Sequence, residues 1–145
     1  MPVCIDSEQI LIGCRCSKEE AIRAIGEVMV RRGDVTPRYV AGMLEKERQF
    51  NTCITDGVAL PHGTAAVRDE VIRDSVVFAQ FPEGADWGDG KTVYLAFGFA
   101  GAGDQPHLDL LASLAEILQR PEAVARLRAA RNEDEVISIL ASVSA

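Results

Sequence analysis

Histidine is scarce in this chain, with two among 145 residues, and aromatic side chains make up 6%. Long apolar runs are missing as well. The longest, Val93 to Ala102, is far short of the roughly 20 residues a membrane-spanning helix needs, so no direct membrane insertion is expected. The N-terminal MPVCIDSEQ lacks a basic stretch leading into an apolar one. No secretion signal is read there, and the expected location is the cytoplasm. Positive charge is in deficit, with 15 Lys and Arg against 22 Asp and Glu and a net charge of −7. Such a chain repels a phosphate backbone, so no nucleic-acid partner is expected. Of the four cysteines, Cys4, Cys14, Cys16 and Cys53, the Cys14/Cys16 pair has no second close pair to complete a zinc set. No metal and no cofactor are therefore expected. Also absent are G-x-S-x-G, a Walker loop and a histidine pair at i, i+4.

What is present fits one α/β domain over residues 1–145, an ordinary length for a chain that buries its own core. Ser17 and Glu20 form a capping box, and Ile22, Ile25, Val28 and Met29 recur at helical spacing up to Gly33. Thr36-Pro37 opens a second helix, with Tyr39, Val40, Met43 and Leu44 facing inward and the charged cluster Glu45 to Arg48 at its end. Residues 57–60, 75–81 and 92–100 read as strands, and the last is apolar almost throughout, as a strand covered on both faces should be. PEGADWGDG, residues 82–90, reads as a loop carrying Trp87 as a packed lid, and Gly101 to Asp104 as another loop. A helix follows from Leu108, a short one from Pro121, and a last one capped by Asn132 and Glu135. Helices alternating with strands make a layered α/β domain. Glu19, Glu20, Glu45, Glu47, Glu133 and Glu135 fall on helix faces, where carboxylates usually serve solvation.

Each histidine follows a proline. His62 closes the run GVALPHGT, where Pro61 stiffens the strand end and Gly63 leaves room for a ligand or another backbone. An unperturbed imidazole, with a pKa near ~6.5, keeps its neutral, nucleophilic form available at neutral pH. The bland alternative is a ring satisfied locally within a turn. His107, in GAGDQPHLDLL, lies at a glycine-rich turn opening a helix, a place for an anion. A dinucleotide fingerprint fails there, because its third glycine would fall at Pro106. Here the bland alternative is a solvent-exposed residue of the helix's first turn. From the residues alone, the chain offers two histidines at element termini, placed to handle one anion.

The stretches SKEEAIRAIGEVMVRRGDVTPRYVAGMLEKE, ITDGVALPHGT, VVFAQFPEGADWG and GDQPHLDLLASLAEIL, in this order, resemble the enzyme IIA domain of the phosphoenolpyruvate-dependent sugar phosphotransferase system. The similarity is to its mannitol-type branch. It implies a mixed, about five-stranded sheet sandwiched between helices. It also implies that His62 accepts a phosphoryl group through Nε2 from the phosphocarrier protein HPr and passes it to a cysteine of the IIB domain of a membrane sugar permease. His107 would then hydrogen-bond the phosphoryl group. One departure stands out. The family's arginine, sixteen residues before the acceptor, is replaced by Lys46, which keeps the charge without the planar fork. Arg48 is the substitute within reach along the chain. A regulatory IIA-like module, whose phosphorylation controls partner binding instead of sugar uptake, is the alternative function. A metal-binding protein using Cys14, Cys16 and a histidine is a third reading.

Overall fold

A computed structural model of the protein describes Val3 and residues 5–143; Cys4 lies outside the described residues. One mixed five-stranded sheet runs through it, in the order β1-β4-β5-β3-β2. The strands are β1 (Ile10–Leu11), β2 (Cys53–Thr55), β3 (Val58–Ala59), β4 (Ser75–Gly88) and β5 (Lys91–Ala100). β4 and β5 pair antiparallel, while β1 runs parallel to β4 and β3 parallel to β5. Alternation along the two long strands divides the apolar side chains between two cores. Val77, Ala79, Phe81, Val93 and Ala96 face α1 (Lys18–Arg31) and α2 (Pro37–Gln49). Val76, Phe78, Leu95, Phe97 and Phe99 face α3 (Asp104–Leu118), α4 (Pro121–Ala129) and α5 (Glu133–Val143). The sheet lies between helices, as expected.

The helices form where the sequence places them. Ser17 Oγ accepts the Glu20 N–H at 3.2 Å, and the Glu20 carboxylate accepts the Ser17 N–H at 2.9 Å. Asn132 accepts the Glu135 N–H at 2.9 Å ahead of α5. Thr36 differs: it makes no side-chain cap, and its hydroxyl donates to Glu70 at 2.5 Å instead. α3 begins at Asp104, ahead of the expected Leu108, because Gly103 serves as its N-cap and Pro106 is tolerated in the first turn. No helix among the described residues is long and apolar enough to cross a membrane.

The expected loop over residues 82–90 is a strand for most of its length. β4 continues to Gly88 through a register shift between Gln80 and Ala85, which accommodates Pro82 at an irregular point of the ladder. Asp89 and Gly90, at φ 56° and 74°, form the two-residue turn into β5, the geometry an Asp-Gly hairpin favours. Trp87 is fully buried on this strand and is no lid. β1 and β2 are too short, at 2 and 3 residues, to show a period in sequence. The strand expected over 57–60 reduces to Val58–Ala59, although Leu60 N still bonds Thr52 O and Phe99 N still bonds Pro61 O.

The α1-side core is closed by contact at one small residue of β5. A Cβ built on Gly98 would stand 2.3 Å from Cγ2 of Ile25, a fully buried, β-branched side chain with no room to turn. Gly98→Ala is expected to destabilise the fold by about 1–3 kcal/mol through overpacking, seen as a lower urea midpoint with an unchanged slope.

Candidate active site

β3 and β5 are parallel neighbours, and the chain beyond β3 turns away where β5 approaches its own end. Pro61, His62 and Gly63 therefore lie beside Phe99. The buried Tyr39 of α2 fixes this corner. Its hydroxyl donates to the Phe99 carbonyl at 3.0 Å and accepts the Gly63 N–H at 2.9 Å. Sequence reasoning took Tyr39 as core only; its phenol in fact clamps the loop that carries His62.

Nδ1 of His62 lies 2.8 Å from the Leu60 carbonyl. A carbonyl only accepts, so Nδ1 carries the proton and Nε2 keeps its lone pair in the neutral ring. From the other face of the sheet, α3 brings in His107. A Cβ at Gly101 would meet His107 N at 2.4 Å and Cα at 2.5 Å, so only glycine lets the first turn of α3 fold back this tightly. The rings of His62 and His107 then stand 5.4 Å apart, edge to face. Phe99 lies at 4.9 Å from the first and 5.1 Å from the second. The two histidines, expected to serve one anion, meet at one site.

Both rings are held below the usual histidine pKa. For His62 burial is the main cause, with Lys46 and then Arg68 adding to it and the Leu60 carbonyl and Glu47 opposing. His107 is lowered to about 4, mainly by burial, then by Arg68 and by His62. Two cations thus bear on the pair: Lys46 more on His62, and Arg68 more on His107. Lys46 Nζ sits 5.6 Å from the centre of the exposed Phe50 ring. Arg48 does not take the role suggested for it. It points elsewhere on α2, pairs with Glu45 at 2.9 Å, and lines a groove with Arg23, Glu27 and Arg31.

Two charged side chains at the site also escaped sequence reasoning. Arg68 lies on a 3-10 helix, Ala65–Glu70, immediately after the His62 loop. It is the only Lys or Arg between Arg48 and Arg73, a signal that was available. Glu47, expected on a solvated face, is buried. It binds Lys18 Nζ at 3.0 Å and accepts from the Thr52 N–H and hydroxyl at 2.9 and 2.6 Å. A lone carboxylate in a charged cluster gave no sign of that partner set. Cys14 and Cys16 lie between β1 and α1, and among the described residues no three His, Cys, Asp or Glu side chains are grouped to hold a metal.

The sequence model of the phosphoenolpyruvate-dependent sugar phosphotransferase system, EIIA 2, matches residues 4–143. The chain belongs to this family. It is 42% identical over 123 residues to the multiphosphoryl transfer protein of Escherichia coli O157:H7, covering 85% of this chain but 32% of that much longer protein. It is 37% identical over 128 residues to the mannitol-specific phosphotransferase enzyme IIA component of Bacillus subtilis strain 168, covering 88% of this chain and 89% of the relative. Among solved structures, the complex of enzyme IIAMTL and phosphorylated enzyme IIBMTL from Escherichia coli superposes with a TM-score of 0.88 at 35% identity, covering 95% of this chain and 97% of the matched one. The five-stranded architecture is thus that of the mannitol IIA structures.

The depressed pKa values set a pH dependence. Below the unfolded value of about 6.5, the unfolded chain binds more protons than the native one. The stability contributed by the two neutral rings is complete above that pH. It is lost as pH falls through the lower native values, about 4 for His107. NMR titration of the ring protons should give a His107 midpoint about 4 and a His62 midpoint below 6.5. His107→Ala should flatten the fall in urea midpoint across the same window.

Proposed function

We propose that this member of the family is a phosphoryl carrier of a mannitol-type phosphotransferase system, the whole of residues 1–145 forming one cytoplasmic IIA domain. Nε2 of His62 takes the phosphoryl group from HPr and gives it to a cysteine of the IIB domain of a membrane sugar permease. The observation that carries this reading is the His62 ring, held through Nδ1 at 2.8 Å from the Leu60 carbonyl, with Nε2 left as the free nucleophilic nitrogen.

In the forward step the Nε2 lone pair attacks phosphorus, a P–N bond forms, and the bond to the donor breaks with its electrons leaving on the donor. The proton on Nδ1 stays hydrogen-bonded to Leu60 while the ring becomes cationic, so the carbonyl stabilises the charge as it develops. Phosphoryl transfer asks mainly for positioning and charge stabilisation. His107, neutral before transfer, is placed to hydrogen-bond a phosphoryl oxygen, and Lys46 supplies positive charge. In the second step the cysteine thiolate attacks phosphorus and the P–N electrons return to Nε2. Phe50, exposed under Lys46, and Leu108, exposed next to His107 in sequence, are apolar side chains open to transient partners.

The test is intact-protein mass after incubation with phosphoenolpyruvate, enzyme I and HPr. Wild type should gain one acid-labile phosphoryl group, and His62→Ala none. Adding a mannitol-type IIB domain should then discharge it. A stable phosphoprotein that no IIB domain discharges would move the reading to the regulatory module.

A further inference from the structure

Arg68 bears on both histidine rings through its charge. Its Nη1 lies 2.6 Å from Oδ1 of Asp104, the first residue of α3, and His107 follows in the same turn. The guanidinium therefore spans from the loop that carries His62 to the helix that carries His107. The stem behind it is fixed. Val67 wedges against Gly42 and Gly63, where an added Cβ would come within 2.3 and 2.8 Å of its Cγ2. The far end of the 3-10 helix is tied to Thr36, whose N–H bonds the Glu70 carbonyl at 3.0 Å.

The two partners in this ion pair are unequal. Asp104 is 94% exposed, whereas the Arg68 side chain is 21% exposed. A carboxylate so open to water holds a cation weakly and is released at little cost. Against it, a phosphoryl group carries up to two charges and three acceptor oxygens, which a planar guanidinium can grip two at a time. Lys46, the other cation at the site, presents a point charge and no fork.

We propose that Arg68 is the residue that grips the phosphoryl oxygens, held on Asp104 while His62 is unmodified and exchanged onto the phosphoryl group as it arrives. The proposal rests on the phosphoryl-carrier reading and adds to it a second, forked cation and the carboxylate that holds it in waiting. Exchange forms and breaks only ionic hydrogen bonds, so no proton or electron need move. When the group departs to its acceptor, Asp104 takes the guanidinium back. The competing account is a strap, in which the Arg68–Asp104 pair merely ties the His62 loop to α3.

Initial rates of phosphoryl uptake from phosphorylated HPr, read by intact mass, separate the two accounts. Arg68→Gln should slow uptake by roughly 10²-fold, the scale of losing one charged stabiliser. Arg68→Lys should recover part of that loss, and Asp104→Asn should run at or above the wild-type rate because the guanidinium is already free. Arg68→Gln at the wild-type rate would sink the proposal. Asp104→Asn slowed as much as Arg68→Gln would sink it too, in favour of the strap. Ring NMR during titration with inorganic phosphate gives a readout independent of HPr. Wild type should bind through shifts at His62 and His107, and Arg68→Gln should bind several-fold more weakly. If wild type takes no phosphoryl group, the carrier reading fails and this titration alone decides the grip. Equal affinities, or no binding by wild type, would overturn it.

Discussion

The hydrogen bond from Nδ1 of His62 to the Leu60 carbonyl ties a chemical state to a piece of backbone. With the proton held there, the lone pair has nowhere to be but Nε2, and the ring cannot rotate without giving up a bond in a largely buried place. That bond is only as well placed as the backbone that makes it. Leu60 sits where β3 ends, next to the stiffening Pro61, and the turn beyond is pinned by the Tyr39 hydroxyl to Gly63 and Phe99. The parallel pairing of β3 with β5 and the α2 helix that supplies Tyr39 converge on the orientation of one imidazole, and the fold-back at Gly101 brings the second beside it.

In the carrier reading, electrostatics at the site serves two opposite occupancies. Burial and the two cations favour the neutral form of both rings, which in the carrier reading is what a nucleophile and a hydrogen-bonding neighbour need before transfer. In the carrier reading, the same cations face an anion after transfer, and their repulsion of a protonated ring becomes attraction for the phosphoryl oxygens. A pair of unit charges about 5 Å apart is worth about 3 kcal/mol at an effective dielectric of 20. Two such cations could bind a phosphoryl group tightly enough to trap it. The carboxylates oppose that: Glu47, whose charge bears on His62, and Asp104 beside Arg68 each draw back part of the positive field. A carrier that must release its cargo is served by charges that nearly cancel.

The helices were legible because their signals are local: a capping box at Ser17, an Asn132 cap, proline at the first turns of α2 and α4. The histidine pair was legible because so few histidines exist, and each stood at an element end beside glycine. What was hidden depends on distant partners. PEGADWGDG looked like a loop since glycine, proline and acidic residues dominate it, yet the bulge absorbs Pro82, the turn needs only Asp89-Gly90, and Trp87 is drawn into the core across the sheet. Arg68 could have been noticed as an isolated cation, but its bearing on both rings follows from the fold. Arg48 seemed close because sequence distance to Lys46 is small, and helical geometry sends the two in different directions.

Glu47 makes the same point about neighbours on a helix. The charge of Lys46 bears on both rings, while Glu47, one residue on, is buried against Lys18 and Thr52. A buried ion pair is poor evidence for stability, since desolvation offsets most of the attraction. What this one supplies is position. Lys18 also donates to the Trp87 carbonyl at 2.9 Å, so the start of α1, the end of α2, the approach to β2 and the far end of β4 are joined through one ammonium–carboxylate pair. The last turn of α2 is thereby locked in rotation, and with it the direction in which Lys46 leaves the helix. A lysine at that position is long and flexible, and holding its base steady is what the fold can do for it. What burying Glu47 supplies is a fixed base for the cation whose charge bears on His62.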